Sequence, residues 1–227
     1  ACILTPNCNN PDGALMPEEV KRDLVRFLAD KAIPLVEDDV YGDLYFGDKR
    51  PCCCRKFDRK GLVILCSSFS KTLAPGFRVG WMSPGPFLDK ALEIKVTTNV
   101  STASPMQMAV SEFLKRGQYD HLLGRLRSAV RSQMQSVQLA VSRSFPQGTR
   151  ASRPAGGTVL WLELPGVDSI RFFYEAEHLH IGVAPGNIFS TQDKYLSFIR
   201  LNCGAPFTDE IRQAVETLGE LAGAMAE

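Results

Sequence analysis

The strongest chemical signal in the sequence is a primary amine framed by hydroxyls and a guanidinium. It lies in the run Ser68-Phe69-Ser70-Lys71-Thr72-Leu73-Ala74-Pro75-Gly76-Phe77-Arg78-Val79-Gly80-Trp81. The run follows an all-apolar stretch, Leu62 to Cys66, that reads as a buried strand. A lysine at the end of such a strand can have its ammonium pKa lowered by desolvation and neighbouring cations. It can then form an imine with an aldehyde cofactor. Two serine hydroxyls and an arginine fork are what a phosphate needs, and the Pro75-Gly76 turn can return Arg78 to the side of Lys71. Alone, a lysine is usually a solvated surface charge; the frame gives this one a chemical reading.

Three other places fit the same cofactor chemistry. Glu37-Asp38-Asp39-Val40-Tyr41 puts carboxylates at a strand end. A carboxylate against a pyridine nitrogen keeps that nitrogen protonated, so the ring can withdraw electrons from a bound substrate. Asn10-Pro11-Asp12-Gly13 is by itself a turn. Phe198-Ile199-Arg200-Leu201-Asn202 places an arginine on a strand, where its planar fork can grip a carboxylate.

The lysine run resembles the Schiff-base signature of the fold-type I pyridoxal-phosphate (PLP) enzymes, the aspartate aminotransferase superfamily. The resemblance puts Ser68, Ser70 and Arg78 on the family's phosphate contacts and Lys71 on its imine lysine. It also implies an Asp at the pyridine nitrogen with a Tyr three residues later on the ring's phenolic oxygen. That spacing selects Asp38 with Tyr41 and leaves Asp39 as the alternative. Asn10 falls on the Asn of the family's Asn-Pro-Thr-Gly turn, with Asp12 in place of the threonine, and Arg200 on the arginine that binds the substrate α-carboxylate. Pro154-Ala155-Gly156-Gly157-Thr158-Val159-Leu160-Trp161 is similar to the family's small-domain strand entry. A narrower resemblance, to MocR-type proteins, rests on Cys66-Ser67-Ser68-Phe69-Ser70-Lys71, an arginine-rich long helix and Arg200-Leu201-Asn202-Cys203-Gly204. In those proteins an aminotransferase-like domain follows a GntR-type winged helix.

The resemblance implies transamination of an amino acid with a 2-oxo acid through a Lys71 aldimine. The alternative is a PLP- or amino-acid-sensing effector domain of a transcriptional regulator. It implies a homodimer, with DNA contacted only through an N-terminal domain upstream. Family members carry a Gly-rich phosphate loop and a ring-stacking aromatic ahead of the Asn turn. Neither precedes Asn10, so the sequence is expected to be truncated at its N-terminus.

The elements that must position these residues are legible as a pattern. Pro17-Glu18-Glu19 opens a helix in which Val20, Leu24, Phe27 and Leu28 are expected to share the buried face. Short apolar strands are expected at Ile33–Val36, Leu62–Cys66 and Arg78–Met82, with helices at Phe87–Val96, Pro105–Arg116 and Tyr119–Ser144. Buried strands alternating with amphipathic helices predict an α/β domain, a mostly parallel sheet covered on both faces. After Pro146, strands at Thr149–Arg153, Thr158–Leu164, Ile181–Ala184 and Ser197–Asn202 interleave with helices at Ser169–His178 and Asp209–Met225. This predicts a smaller α+β domain, giving a partial PLP-binding large domain at 1–130 and a small domain at 131–227.

Composition narrows the partners. The 227 residues are 44% hydrophobic and 22% charged with a formal charge of +1, so no polyanion partner is implied for the chain as a whole. No run is long and apolar enough to cross a bilayer. No signal peptide is visible, which makes a cytoplasmic location the default expectation. Seven cysteines, three of them consecutive at Cys52–Cys54, fit neither a disulfide framework nor zinc-ligand spacing and read as free thiols. His178 and His180 make a weak ligand pair, so no metal is expected.

Overall fold

The computed structural model describes residues 1–226. The described chain divides into two compact units, one of residues 1–9 with 14–127, the other of residues 10–13 with 128–226.

The first unit is built on a four-stranded sheet in the order β1 (Cys2–Leu4), β2 (Leu35–Asp38), β3 (Val63–Ser68), β4 (Gly80–Ser83). The first three strands are parallel and β4 pairs antiparallel to β3. Parallel neighbours need a crossover, and α1 (Glu18–Asp30) supplies the one from β1 to β2. It begins after Pro17 with two acids in its first turn, which favour the positive end of the helix dipole. Its buried apolar residues, Val25 and Leu28, pack on Leu35, Cys54 and Val63. The remaining helices of the unit are α2 (Leu88–Asn99), α3 (Ser104–Lys115) and the first part of α4 (Gln118–Ser144).

The sheet positions the chemistry because β2 and β3 run in register. Asp38 stands opposite Cys66, so the last residue of β2 and the serines ending β3 emerge at one edge, where ligands of open α/β sheets bind. The chain then turns back, and Ser68 pairs with Gly80 at the start of β4. A Cβ at Gly80 would lie 2.9 Å from the Ser67 carbonyl oxygen, so this close approach needs glycine.

Three sequence expectations need correction here. The buried face of α1 is Lys21, Val25 and Leu28, while Val20 and Phe27 are exposed. The periodicity was readable one residue out of phase because the correct face carries a lysine, which sequence patterning scores as surface. The sheet is also not covered on both faces. Trp81 and Met82 of β4 are exposed, and with Val36, Ile64, Leu88 and Leu92 they line an apolar cavity of about 730 Å³. Thirdly, the strand expected at Ile181–Ala184 is the two-residue β7 (Ala184–Pro185).

In the second unit, β5 (Arg150–Ala151), β6 (Val159–Glu163), β8 (Phe198–Asn202) and β7 form an antiparallel sheet in that order. It is accompanied by α5 (Ser169–His178), α6 (Asp209–Ala226) and the later part of α4. The core residues are apolar on successive helical turns and strand positions, including Met134, Val137, Leu160, Leu162, Phe172, Ile199 and Leu218. Trp161 anchors an aromatic group with Phe189, Tyr195 and Phe198.

Candidate functional site

Within the first unit, six of the residues singled out from sequence sit at the edge where β2 and β3 end. Lys71 lies in the turn after β3, its Nζ 5.5 Å from the centre of the Tyr41 ring. Phe69 N–H donates to the Val79 carbonyl at 3.0 Å, which closes the loop and returns the chain to β4. Arg78 ends the short Pro75–Phe77 turn in a left-handed conformation (φ 54°). Its Nη1 lies 3.4 Å from Ser70 Oγ, and Ser70 N–H is 3.4 Å from Ser68 Oγ. The return of Arg78 expected from the Pro75-Gly76 turn is therefore seen at Ser70, the residue before Lys71.

Lys71 is exposed, contrary to the expectation that strand-end burial would desolvate it. The reason is local: the residues of β3 are only half-buried beyond Val63, and the turn they feed opens to solvent. Its amine is accessible rather than enclosed.

The acidic cluster separates into three environments. Glu37 is fully buried and accepts the backbone N–H groups of Cys54 and Arg55 at 2.7 and 3.0 Å. Desolvation raises its pKa against the pull of those two bonds. Asp38 is half-buried and accepts the Val40 N–H at 3.1 Å. Asp39 is 1% exposed, and both of its oxygens are engaged, Oδ1 by Asn7 Nδ2 at 2.7 Å and Oδ2 by Arg50 Nη2 at 2.6 Å. Cys53 Sγ also lies 3.2 Å from Oδ2. Asp39 thus has both carboxylate oxygens engaged inside the protein, whereas the half-buried Asp38 has one oxygen engaged by a local backbone N–H. Tyr41 is buried with Cys8 and Leu44, which fixes its ring.

The second unit holds the other two, and it brings them together. Arg200 Nη1 donates to Asn10 Oδ1 at 2.9 Å, with the guanidinium 5.2 Å over the Phe189 ring. Arg200 Nε is buried without a hydrogen-bond partner among the described residues. Stacking on one face and a bond at one nitrogen leave the fork little freedom, which suits recognition of a planar anion.

Sequence reasoning missed the polar residues behind the edge: Asn7, Lys21, Asp43, Arg50 and Tyr119. They are scattered over more than a hundred positions in no motif, and nothing in their spacing marks them. The one available signal was a lysine on a helical face that also carries Val25 and Leu28. Among the described residues, no group of three or more His, Cys, Asp or Glu is placed to hold a metal ion. No helix among the described residues is long and apolar enough to cross a membrane.

An amine, two hydroxyls, a guanidinium, a carboxylate and a phenol at one sheet edge form the donor set that an aldehyde-bearing pyridine phosphate requires. Residues 1–218 match the family described as aminotransferase class I and II. The chain belongs to that family. It is 38% identical over 219 residues to the HTH-type transcriptional regulator YjiR of Escherichia coli, covering 96% of this chain and 47% of the regulator. It is 33% identical over 229 residues to the 2-aminoadipate transaminase of Thermus thermophilus, covering 98% of this chain and 57% of the enzyme. The crystal structure of LysN, an α-aminoadipate aminotransferase from Thermus thermophilus complexed with N-(5'-phosphopyridoxyl)-L-leucine, superimposes with a TM-score of 0.92 at 30% identity. That match covers 98% of this chain and 58% of LysN. The chain spans about half the length of the curated relatives it matches.

Proposed function

We propose that this chain is the PLP-holding part of an aminotransferase, acting on an amino acid and a 2-oxo acid, with Lys71 as the covalent anchor. The observation that carries the reading is the grouping of the Lys71 amine with the Tyr41 ring and with Ser70 and Arg78 at one sheet edge. The donor set fits the cofactor in kind: hydroxyls and guanidinium for a phosphate, an accessible amine for an aldehyde, a half-buried carboxylate for a pyridine nitrogen. When bound, PLP supplies an electron sink that makes the α-proton of an amino acid removable.

In this reading the chain's residues divide the work. Ser68, Ser70 and Arg78 bind the phosphate, where the charge-assisted bonds from Arg78 are the strongest contribution. Asp38 holds a proton on the pyridine nitrogen, its carboxylate oriented by the Val40 N–H. Tyr41 and Asn10 bind the phenolic oxygen. Lys71 Nζ would hold the cofactor's aldehyde carbon and, as a free amine, would be the base that accepts the substrate's Cα proton and the acid that gives it back. Arg200 orients the substrate by its α-carboxylate. Residues 1–130 serve as the large domain and 131–227 as the small one, and the working protein is a homodimer.

The regulators among its relatives favour a second reading, an effector domain in which the same residues sense PLP or an amino acid on behalf of a DNA-binding domain. One experiment separates the two. Purified chain is saturated with PLP and mixed with single amino acids while its absorbance spectrum is followed. Conversion to the pyridoxamine form, with release of the 2-oxo acid, supports the transaminase. A stable spectral change without release supports the sensor. No change that Lys71→Ala abolishes overturns both.

A further inference from the structure

We infer that Tyr119, Asp43, Arg50 and Asp39 are positioning residues, forming one polar strut that ties the Lys71 turn to the Asp38–Tyr41 turn. What the strut is for rests on the cofactor reading above; its hydrogen bonds lie within the first unit, and the step from the Tyr119 hydroxyl to its neighbour Asp43 is what the inference adds.

The strut starts beside the lysine. Thr72, the residue after Lys71, is buried, and its Oγ1 lies 2.8 Å from the Tyr119 hydroxyl. Phe69, two residues before Lys71, meets the Tyr119 ring edge-on at 5.8 Å. Side chains on both sides of the lysine therefore rest on one phenol in the first turn of α4. Burial pushes the Tyr119 pKa up against the pull of the Thr72 hydrogen bond, and the neighbouring Asp43 carboxylate acts with burial.

From Asp43 the strut crosses to the other turn. Arg50 Nε donates to Asp43 Oδ1 at 2.7 Å and Arg50 Nη2 to Asp39 Oδ2 at 2.6 Å, so one guanidinium bridges two carboxylates. Burial works against the Arg50 charge, but these two bonds outweigh it and hold its pKa up. Asp39 is fastened from behind by Asn7 at 2.7 Å, and Asn7 in turn accepts from the buried Lys21 amine at 2.6 Å. The Asp39 main chain is tied to the end of β3: its N–H donates to the Cys66 carbonyl at 2.9 Å, and its carbonyl accepts from Ser67 Oγ at 3.1 Å. Asp39 thus fixes the residues on either side of it, Asp38 and the turn to Tyr41, and also the strand that delivers Lys71. There is no slack around it, since a Cβ at Gly42 would stand 2.2 Å from Asp39 Oδ1.

Stability alone is a poor reason for such a strut. Buried ion pairs often contribute no more than well-packed apolar side chains of similar volume. Fixed spacing between an amine and a carboxylate is something apolar packing supplies less well, because a site must be held to within a fraction of an ångström.

The test uses the full chain with two conservative variants, Tyr119→Phe and Arg50→Lys, each checked for native circular dichroism. In the unloaded chain, amide hydrogen exchange is measured over 39–44 and 69–74. Loss of one hydrogen bond of about 1 kcal/mol corresponds to about five-fold. Arg50→Lys is expected to speed exchange at 69–74 by about that factor, and Tyr119→Phe to do the same at 39–44. In the loaded chain, each variant is expected to raise the PLP concentration for half-saturation by about five-fold. The double variant should cost no more than the larger single one, as for residues acting through one connection. Exchange changes confined to the altered residue's own turn overturn the strut. Coupled exchange with unchanged PLP affinity overturns its positioning role. If wild-type chain takes up no PLP through Lys71, the cofactor reading fails separately, and the exchange result still decides whether the two turns are coupled.

Discussion

At the scale of single residues, the Arg200 fork offers the sharpest division between binding and chemistry. Its guanidinium is stacked over Phe189 and bonded to Asn10, a geometry that a lysine's point charge cannot reproduce. Arg200→Lys is expected to raise the amino-acid concentration for half-maximal conversion by about 10- to 100-fold, the loss of a charge-assisted bond of about 1.5–3 kcal/mol. PLP uptake should change less, since the proposed phosphate contacts of Ser68, Ser70 and Arg78 are kept and only Asn10 loses a hydrogen-bond neighbour. Steady-state titration beside a PLP titration checks both halves. Cys203 gives a prediction about pH. Desolvation pushes its thiol from 9.0 up to about 12. Above pH 9 the unfolded chain loses this proton and the folded chain keeps it, so the unfolded state gains and stability falls as pH rises towards 12. Urea unfolding from pH 9 to 11 should show this loss, and Cys203→Ala should flatten the slope by about 1 kcal/mol per pH unit.

Among the elements, helix termini and close approaches carry the testable energetics. Asp168 caps α5 by accepting the Ile170 and Arg171 N–H groups at 3.0 and 2.8 Å. Asp168→Ala is expected to cost about 1 kcal/mol in urea unfolding. A Cβ at Gly219 of α6 would lie 2.4 Å from the Ser144 carbonyl oxygen, so Gly219→Ala should destabilise despite alanine's better helix propensity. Elements with strong patterns were legible in advance. The apolar run before the serines became β3, and the 27-residue α4 follows its 3.6-residue periodicity to the expected end at Ser144. The face of α1 was not legible, because Lys21 is buried only by virtue of Asn7 and the Cys52 carbonyl, partners supplied by distant chain. The same limit hid the strut: Asp39 looks like Asp38 in sequence, and only tertiary contacts separate the carboxylate held by Arg50 from the one held by its own turn.

For the molecule as a whole, the family was readable from four short motifs in order, because they describe chemistry that does not depend on packing. The open face of the first sheet was not readable, since an apolar strand looks the same whether or not a neighbour covers it. Trp81, Met82, Leu88, Leu92 and Ile94 form an exposed apolar surface of the kind that binds hydrophobic dyes. The chain should enhance the fluorescence of such a dye at neutral pH, and Met82→Lys with Leu92→Lys should remove most of that signal without altering the far-ultraviolet spectrum.

The central claim is that one amine captures the cofactor, and covalent trapping tests it most directly. The chain is incubated with PLP, treated with borohydride to reduce any imine, digested and mapped by mass spectrometry. A single phosphopyridoxyl mass on Lys71, lost in Lys71→Ala and weakened in Arg78→Ala, is the predicted result. Label spread over surface lysines in proportion to their exposure, with Lys71 no more reactive than the rest, would contradict it.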